Sequence, residues 1–405
     1  MKFGLLGEHL RHSYSPAIHK ELHGEDYQLY EVAPECVGAF LRETDLDGMN
    51  VTIPYKKTVM PYCVSLSEAA QRIGCVNTLV RRKDGWHGYN TDYTGFCHML
   101  KAAGIDPAGK KALVLGSGGA SLTARTALKD LGAKEVVVIS RSGEDNYDNL
   151  ERHKDAGIIV NTTPAGMFPD NGTRLLDLKQ FPQCDGVADV VYNPARTALL
   201  LQAENLSIPY AGGLSMLVAQ AKRSAEIWLD KDIPDSEVTR IEKLLAASMQ
   251  NIVLIGMPGS GKTSVGKALQ QLTGRELIDT DEEIVRMSGR TIPDIIGNDG
   301  EEAFRVLETA AIAEAGKRSG CIISTGGGCV TRERNYPLLH QNAVIVWIRR
   351  RLDWLPTDGR PLSRAGKLEK MYEERKDKYA AFADMTIEND RTVKKAAEQI
   401  LKELR

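Results

Sequence analysis

A strand-like apolar run that leads into a glycine-rich turn occurs twice, as Lys111-Ala-Leu-Val-Leu-Gly-Ser-Gly-Gly-Ala120 and as Asn251-Ile-Val-Leu-Ile-Gly-Met-Pro-Gly-Ser-Gly-Lys-Thr263. A helical pattern follows each turn, so each stretch predicts a strand, a tight turn and a helix. A second strand-like run, residues 135–139, comes directly after the first of these helices. Strand, helix and strand form a βαβ unit, which is right-handed in a parallel sheet. The sequence therefore predicts an α/β protein.

The length predicts more than one domain. At roughly 100–200 residues per domain, 405 residues correspond to two or three units. A helical pattern at 235–249, with apolar Val238, Ile241, Leu244 and Leu245, ends just before the second glycine-rich stretch, so we place a boundary near Gln250. A break at 104–107 divides the front half again. We expect three parts: residues 1–104 with helices 214–248 returning to them, residues 105–213, and residues 250–405.

The composition excludes several classes of partner. The 52 Lys+Arg and 54 Asp+Glu residues give a formal net charge of -2, so no broad basic face is expected for nucleic acid or an anionic membrane. No uncharged run is long enough for a bilayer span, and no basic and apolar leader begins the chain. The seven cysteines lack CxxC spacing, which suits a reducing compartment. We therefore expect a cytoplasmic protein that binds small molecules, and no oligomeric state is predicted.

The first glycine-rich turn predicts a pyrophosphate site. Glycines let the backbone approach phosphate at the N-terminus of the following helix, although a purely structural turn is an alternative. The next strand ends in Ser140-Arg141-Ser142 rather than in an acid. A guanidinium between hydroxyls favours the 2′-phosphate of NADP(H) over the free ribose of NAD, and a surface arginine is the alternative. The candidate cofactor residues are Gly116, Ser117, Gly118, Gly119, Ala120, Ser140, Arg141 and Ser142.

Short polar motifs precede this turn. Ser13-Tyr-Ser-Pro16 places two hydroxyls before a helix, with Ser15 as the expected N-cap. Asn50-Val-Thr-Ile-Pro-Tyr-Lys56 alternates like a strand and brings three polar side chains to one side and end. Asn77-Thr78 and Asn90-Thr-Asp92 add further hydrogen-bonding groups. Taken singly, each motif is better interpreted as an Asx or Ser/Thr turn.

In this order, the motifs resemble the shikimate dehydrogenase family from Ser13 to Gln220, together with residues 189–194 and 212–220. The resemblance implies NADPH-dependent reduction of 3-dehydroshikimate to shikimate, with Lys56 and Asp92 as catalytic residues at the reacting centre. It implies that Ser13 and Ser15 hold the substrate carboxylate. The full implied substrate set is Ser13, Ser15, Asn50, Thr52, Lys56, Asn77, Asp92, Tyr192 and Gln220, and Asn161 and Gly213 join the cofactor set.

One departure from that family concerns the cofactor domain. Only nineteen residues separate Arg141 from Asn161, too few for a helix, a strand and a second helix. We therefore predict a shortened Rossmann-type domain that lacks the edge strand beyond its second strand. This leaves an alternative open, in which the front half senses or binds shikimate or quinate without efficient turnover and only the back half is active.

The second glycine-rich turn is a complete P-loop, Gly256-x-x-x-x-Gly-Lys-Thr263. Its backbone N–H groups would cradle the phosphates of ATP, Lys262 would reach the β and γ oxygens, and Thr263 would bind Mg²⁺. Asp279-Thr-Asp281 ends the next strand-like run, and a period of two puts both carboxylates on one side. One carboxylate can assist the metal while the other holds an acceptor hydroxyl. The candidate ATP residues are Gly256, Gly259, Ser260, Gly261, Lys262, Thr263 and Ser264, and the metal candidates are Thr263 and Asp279.

Arginines and glycines further along complete a second resemblance, to shikimate kinase, over nearly all of residues 250–405. The resemblance implies phosphorylation of shikimate by ATP with Mg²⁺, with Asp281 and Lys262 as catalytic residues in a P-loop domain with a parallel sheet. It also implies that Arg360 lies on a lid over the phosphates. The implied substrate set is Asp281, Arg305, Gly326, Gly327, Gly328 and Arg375. Asp353 stands where that family often has an arginine, which leaves Trp354 as the candidate for stacking on adenine.

Two clusters receive no role. His19 and His23 fall at i and i+4 on the first helix without an evident third ligand, so we interpret them as polar helix residues rather than metal ligands. The basic run 349–351 is interpreted as the exit of a strand near the nucleotide, or as a solvated turn.

Overall fold

The computed structural model describes residues 1–10, 13–355 and 367–404, which fall into two compact units. The first unit comprises residues 1–167, 173–192 and 199–245, and the second comprises 168–172, 193–198 and 246–405. The first unit contains two sheets and the second unit contains one. Among the described helices, none is long and apolar enough to cross a membrane.

The first sheet has six strands in the order β2-β1-β3-β5-β6-β4. Its strands are β1 (Lys2–Gly7), β2 (Asp26–Glu31), β3 (Gly48–Val51), β4 (Cys63–Leu66), β5 (Thr78–Arg82) and β6 (Gly85–Tyr89), and its helices are α1 (Ser15–His23), α2 (Val37–Glu43), α3 (Glu68–Ile73) and α4 (Asp92–Ala102). Strand β5 is antiparallel to β3 and β6, with Thr78 opposite both Asn50 and Tyr89. The start of β5 therefore lies beside the ends of β3 and β6, which brings three of the polar motifs to one edge.

The second sheet is parallel, with the order β11-β10-β9-β7-β8. Its elements are β7 (Lys111–Leu115), α5 (Gly119–Asp130), β8 (Glu135–Ile139), β9 (Ile158–Asn161), β10 (Gly186–Asp189), α6 (Ala198–Asn205) and β11 (Tyr210–Ala211). Strand β8 is at the edge, and only a short 3₁₀ turn at Leu150–His153 separates it from β9. No strand in the described chain pairs with its outer side, which confirms the predicted loss of the edge strand.

Two helices follow this sheet, α7 (Gly213–Leu229) and α8 (Ser236–Met249). Helix α7 packs against α1 and α4 of the first sheet. On α8, Val238, Ile241 and Leu245 are buried against Ile18 of α1, as their spacing predicts. Leu244 is 45% exposed because a turn of 3.6 residues carries it past the buried stripe.

The second unit is a parallel sheet in the order β13-β14-β12-β15-β16. Its elements are β12 (Asn251–Ile255), α9 (Lys262–Thr273), β13 (Leu277–Asp279), α10 (Thr280–Ser288), α11 (Ile292–Lys317), β14 (Ile322–Ser324), α12 (Asn335–His340), β15 (Ala343–Arg349), α13 (Lys367–Phe382), β16 (Met385–Glu388) and α14 (Val393–Glu403). Apolar clusters cover both faces of the sheet. Because all strands run the same way, the P-loop, Asp279 and Ser324 meet at one carboxyl edge, where ligands bind in open parallel sheets. The α/β fold class is confirmed.

Candidate active sites

The first unit has a cavity of about 370 Å³ at the edge where the polar motifs meet. All nine predicted substrate residues line it: Ser13, Ser15, Asn50, Thr52, Lys56, Asn77, Asp92, Tyr192 and Gln220. Ala120 and Gly213 of the predicted cofactor set line the same cavity. Leu10, Met216 and Leu217 line it as well, and sequence reasoning gave them no role because apolar side chains add no polar group to a motif. His9 also lines the cavity and belongs to none of the predicted motifs.

Lys56 and Asp92 form an ion pair in this cavity, with 2.6 Å between Nζ and Oδ2. Lys56 lies in the turn after β3, and Asp92 is the first residue of α4. Burial disfavours the charge on Lys56, but the charge of Asp92 and its hydrogen bond outweigh burial and raise the pKa of Lys56. The ammonium is therefore held cationic and oriented, with a side chain still 27% exposed to the cavity.

A buried network of hydrogen-bonded polar groups lies beside this cavity and includes two of its lining residues, Asn50 and Gln220. Ser224 of α7 is fully buried, and its hydroxyl accepts a hydrogen bond from Asn50 Nδ2 at 2.9 Å. The same hydroxyl lies 2.8 Å from Thr78 Oγ1 and 3.1 Å from Thr91 Oγ1. Thr91 in turn donates to Gln220 Oε1 at 3.3 Å. No local pattern marks Ser224, which meets these partners only because α7 packs beside β3, β5 and β6.

His19 extends this network, and its place there was not predicted from the sequence. It is fully buried, and burial lowers its pKa to about 3, so its ring is neutral. Its Nε2 donates to Asn50 Oδ1 at 3.0 Å, which leaves Nδ1 to accept from His23 Nε2 at 3.2 Å. The ring stacks on Tyr27 with 4.3 Å between centroids. His19 is thus a polar residue of helix α1, as the sequence predicted, and its burial beside Asn50 and Tyr27 was not predicted.

The start of α1 also differs from the prediction. The N-cap position is Tyr14, and Ser15 is the first residue of the helix, with no side-chain capping bond. Instead the Ser13 hydroxyl accepts the backbone N–H of Ser15 at 3.2 Å. The Ser15 hydroxyl is thus not used as the helix cap, and it lines the cavity.

The glycine turn after β7 has the geometry of a phosphate cradle. Gly116 has a φ of 105°, and a Cβ there would come within 2.6 Å of Thr163 Cγ2, so a side chain is excluded. Helix α5 begins at Gly119 with no side-chain cap, and nothing lies within 4 Å of an added Cβ at Gly118 or Gly119. Open space before uncapped N–H groups fits a pyrophosphate.

Arg141 lies beside this turn, because Leu115 of β7 pairs with Ile139 of β8. Arg141 and Ser142 are exposed and Ser140 is half-buried. Among the described residues, Arg141 has no ion-pair partner, so its guanidinium is available to an anion. Asn161 is different: its Nδ2 donates to Asp189 Oδ1 at 3.0 Å and its Oδ1 accepts from Thr163. We interpret Asn161 as the group that shapes this loop.

The second unit has a cavity of about 700 Å³ at the carboxyl edge of its sheet. Of the predicted kinase residues, it is lined by Gly259, Gly261, Lys262, Thr263, Ser264, Asp279, Asp281, Arg305, Gly326, Gly327, Gly328 and Arg375. Gly256 and Ser260 lie behind this lining, and Ser260 is buried. The predicted lid residue Arg360 lies outside the described residues. Glu308, Phe304 and Arg350 line the cavity without having been predicted.

The P-loop fits a nucleotide with a hard divalent cation. Lys262 Nζ donates to the carbonyl oxygens of Gly256 and Met257 at 2.9 and 3.0 Å, which holds it inside the loop. Thr263 Oγ1 donates to Asp279 Oδ2 at 3.0 Å and lies 3.2 Å from Ser324 Oγ. Hydroxyl and carboxylate oxygens beside a phosphate cradle are the ligands that Mg²⁺ takes in such sites.

Asp281 is the second residue of α10, not a strand residue as the period of two suggested. Asp279 caps the helix by accepting the N–H of Asp281 at 3.0 Å, so both carboxylates still face the cavity. Burial raises the pKa of Asp281 to about 6, with the charges of Asp279 and Glu308 adding to it. Its Oδ1 is buried without a hydrogen-bond partner in the described chain, which leaves an acceptor for a ligand hydroxyl.

Two arginines and a glycine turn enclose the other end of the cavity. Arg305 donates to Glu308 Oε2 at 2.8 Å and to Glu301 Oε1 at 2.9 Å. These bonds use two of its five N–H groups, so three remain for a ligand carboxylate. Arg375 donates to the Gly327 carbonyl oxygen at 3.0 Å. The hydroxyl of buried Tyr379, one turn along α13 from Arg375, donates to the same oxygen at 2.5 Å.

Comparisons with known proteins match both halves of the chain. The family model described as "Shikimate dehydrogenase substrate binding domain" matches residues 5–79, and the one described as "Shikimate kinase" matches residues 258–405. The chain is 35% identical over 258 residues to the shikimate dehydrogenase (NADP(+)) of Clostridium beijerinckii, covering 59% of this chain and 95% of that protein.

Solved structures give the same result for the front of the chain. A chorismate mutase/shikimate 5-dehydrogenase fusion protein from Clostridium acetobutylicum is similar with a TM-score of 0.57 and 37% identity, over 60% of this chain and 96% of that one. Shikimate 5-dehydrogenase from Thermus thermophilus, in complex with NADP(H) and shikimate, is similar with a TM-score of 0.55 and 30% identity. The similarity covers 60% of this chain and 99% of that one. The chain thus belongs to the shikimate dehydrogenase family and continues into a shikimate kinase domain, which makes it a bifunctional enzyme of the shikimate pathway.

Proposed function

We propose that the front unit reduces 3-dehydroshikimate to shikimate with NADPH, and that the back unit transfers the γ-phosphoryl group of ATP to the 3-hydroxyl of shikimate with Mg²⁺. The observation that carries the proposal is that each unit gathers all of its predicted substrate residues around one cavity. The relative from Thermus thermophilus, solved with NADP(H) and shikimate, supports the assignment of the front cavity.

In the front cavity, Lys56 is the catalytic acid. When bound, NADPH supplies the hydride. The Lys56 ammonium stabilises the negative charge that develops on the ketone oxygen and then donates its proton to that oxygen. Asp92, 2.6 Å away, keeps Lys56 protonated and oriented until the proton moves. Solvent then returns a proton to Lys56, which is 27% exposed.

The remaining polar side chains orient the ring. The hydroxyls of Ser13 and Ser15 donate to the substrate carboxylate at one end of the cavity. Asn77 and Gln220 hold ring hydroxyls at the other end. Asn77 Nδ2 donates to Gln220 Oε1 at 3.4 Å, a long hydrogen bond that a ring hydroxyl can replace. A substrate held by several directional bonds presents its ketone to Lys56 in one orientation.

In the back cavity, Asp281 is the catalytic base. Its unpartnered Oδ1 accepts the hydrogen of the 3-hydroxyl, and a pKa of about 6 leaves it ionised at neutral pH yet basic enough to take the proton. Lys262 is placed to contact the transferred phosphoryl group, and Thr263 and Asp279 would hold Mg²⁺ directly or through water. Arg305 and Arg375 bind the shikimate carboxylate with guanidinium N–H groups that match its two oxygens.

A pair of variants of the full chain tests both halves. Lys56→Ala is expected to stop NADPH oxidation with 3-dehydroshikimate while leaving the formation of shikimate 3-phosphate from added shikimate unchanged. Asp281→Asn is expected to stop the formation of shikimate 3-phosphate while leaving NADPH oxidation with 3-dehydroshikimate unchanged. The exposed neighbours supply matched controls, Lys57→Ala and Glu282→Gln, which should change neither rate.

Three outcomes would contradict the proposal. Tight binding of shikimate with no NADPH oxidation by the wild-type chain would mean that the front half is a sensor. Retained dehydrogenase turnover in Lys56→Ala would remove Lys56 from the mechanism. Unchanged phosphorylation in Asp281→Asn would reassign the base.

A further inference from the structure

The three consecutive arginines 349–351, of which the first ends β15, have different surroundings. Arg349 pairs with Glu388 at 3.1 Å and lies over the Trp347 ring. Arg351 makes two bonds to Asp353, at 3.1 and 2.8 Å. Arg350, between them, has no ion pair with any described residue, and its Nε is buried without a hydrogen-bond partner. A buried donor without a partner is costly, so its presence needs a ligand or another explanation.

The sheet places Arg350 beside the P-loop. Strand β15 is the direct neighbour of β12, with Trp347 opposite Ile255, the last residue before the loop. A Cβ on Gly256 would collide with the carbonyl oxygen of Ile348, so the two backbones are in contact where the loop begins. Arg350 follows two residues after Ile348 and lines the same cavity as Lys262.

The groups suited to Mg²⁺ lie on the other flank of the loop. Asp279 ends β13 and Ser324 ends β14, and both strands lie on the side of β12 away from β15. A cation bound by Thr263, Asp279 and Ser324 neutralises one side of a triphosphate. The side towards β15 would still carry negative charge, and a cationic donor there would meet it.

We propose that Arg350 is a nucleotide-binding residue whose guanidinium donates to β- or γ-phosphate oxygens on the flank away from Mg²⁺. The inference rests on the proposed ATP-dependent activity of this unit. It adds Arg350 to Lys262 and Mg²⁺ as a cation of the phosphate site. The guanidinium takes two phosphate oxygens at once, which an ammonium in its place cannot do.

Calorimetric titration of the full chain with MgATP tests this, with saturating NADP⁺ present so that the front cofactor site does not bind ATP. Arg350→Ala is expected to weaken ATP binding by at least about tenfold, because a hydrogen bond to a charged group contributes about 1.5–3 kcal/mol and about 1.4 kcal/mol is tenfold. AMP, which lacks the β- and γ-phosphates, should bind as it does to the wild type. Arg349→Ala, a change in the adjacent arginine, is the matched control and should leave ATP affinity unchanged.

Further readouts separate a phosphate contact from a packing role. Arg350→Lys keeps the charge and should lose less affinity than Arg350→Ala, while the KM for shikimate at saturating ATP should stay unchanged in both. Wild-type ATP affinity in Arg350→Ala would overturn the inference, as would equal losses for ATP and AMP or a shifted KM for shikimate. A wild-type chain that does not bind ATP would refute the proposed kinase function itself, which is a different result.

Discussion

Asp281 is expected to lower the stability of the unit in which it acts. Burial raises its pKa from 3.8 to about 6, so the folded protein holds the carboxyl proton more tightly than the unfolded chain does. At about 1.36 kcal/mol per pKa unit, the difference corresponds to about 3 kcal/mol of stability. We therefore predict that Asp281→Asn stabilises the back unit at neutral pH while removing its kinase activity.

The sign of this effect depends on pH. Below 3.8 the carboxyl group is neutral in both states and behaves like the amide, so the variant gains little. Between 3.8 and about 6 the unfolded chain ionises while the folded state keeps its proton, and wild-type stability falls as pH rises. Above about pH 6 the carboxyl group is ionised in both states, and the stability of the wild type falls no further. The expected gain of Asp281→Asn is therefore about 3 kcal/mol at pH 8 and about 1 kcal/mol at pH 4.5.

Hydrogen exchange of the full chain measures this gain locally. Backbone amides of the central strands β12 and β15 report the free energy of opening the back unit, so the front unit does not confuse the result. Glu282→Gln, an exposed change on the same turn of α10, is the control and should protect no amide further. Equal protection in wild type and Asp281→Asn at pH 8, or a gain that does not shrink at pH 4.5, would refute the reasoning.

Three other substitutions probe supporting groups. Ser224→Ala removes the common partner of a buried network, and a buried group left unpaired is worth about 1–3 kcal/mol, so we expect the KM for 3-dehydroshikimate to rise about tenfold with the KM for NADPH unchanged. Equal changes in both constants would mean that Ser224 only stabilises the fold. Tyr379→Phe removes one bond to the Gly327 carbonyl oxygen and should raise the KM for shikimate about fivefold in the kinase assay, whereas an altered KM for ATP alone would contradict this role. Arg141→Ala should raise the KM for NADPH at least tenfold and leave that for NADH unchanged, and equal losses for both cofactors would remove the 2′-phosphate contact.

The parts of the two cavities that are built from contiguous sequence motifs were predicted from the sequence. The P-loop and the Ser13, Asn50 and Asp92 motifs are contiguous, so their residue types and spacing already carry the chemistry. The shortened second sheet was predicted from the length of one segment compared with the family it resembles, because a strand and two helices do not fit in nineteen residues.

What the sequence did not reveal comes from distant packing. Ser224 accepts a hydrogen bond from Asn50, which is 174 positions away in the sequence, and no motif near either residue indicates the contact. The sequence identified His19 only as a polar helix residue, and its stacking on Tyr27 is visible only in the fold. Arg350 was interpreted as part of a uniform basic run, and only the different partners of its two neighbours set it apart. Each of these depends on where an element packs, which single-sequence patterns do not specify.

Because β8 is an edge strand, the second sheet of the front unit could accept a further strand on that side. A strand added beyond it would pair with backbone groups that no described strand now uses, and it would leave the register of β7, β9 and β10 intact. Loop-closure entropy increases only slowly with length, so a longer connection between Ser142 and Leu150 would add little to the free energy of folding. An insertion here, such as a fluorescent reporter or a grafted strand and helix, could therefore be accommodated without rethreading the sheet that carries the cofactor turn.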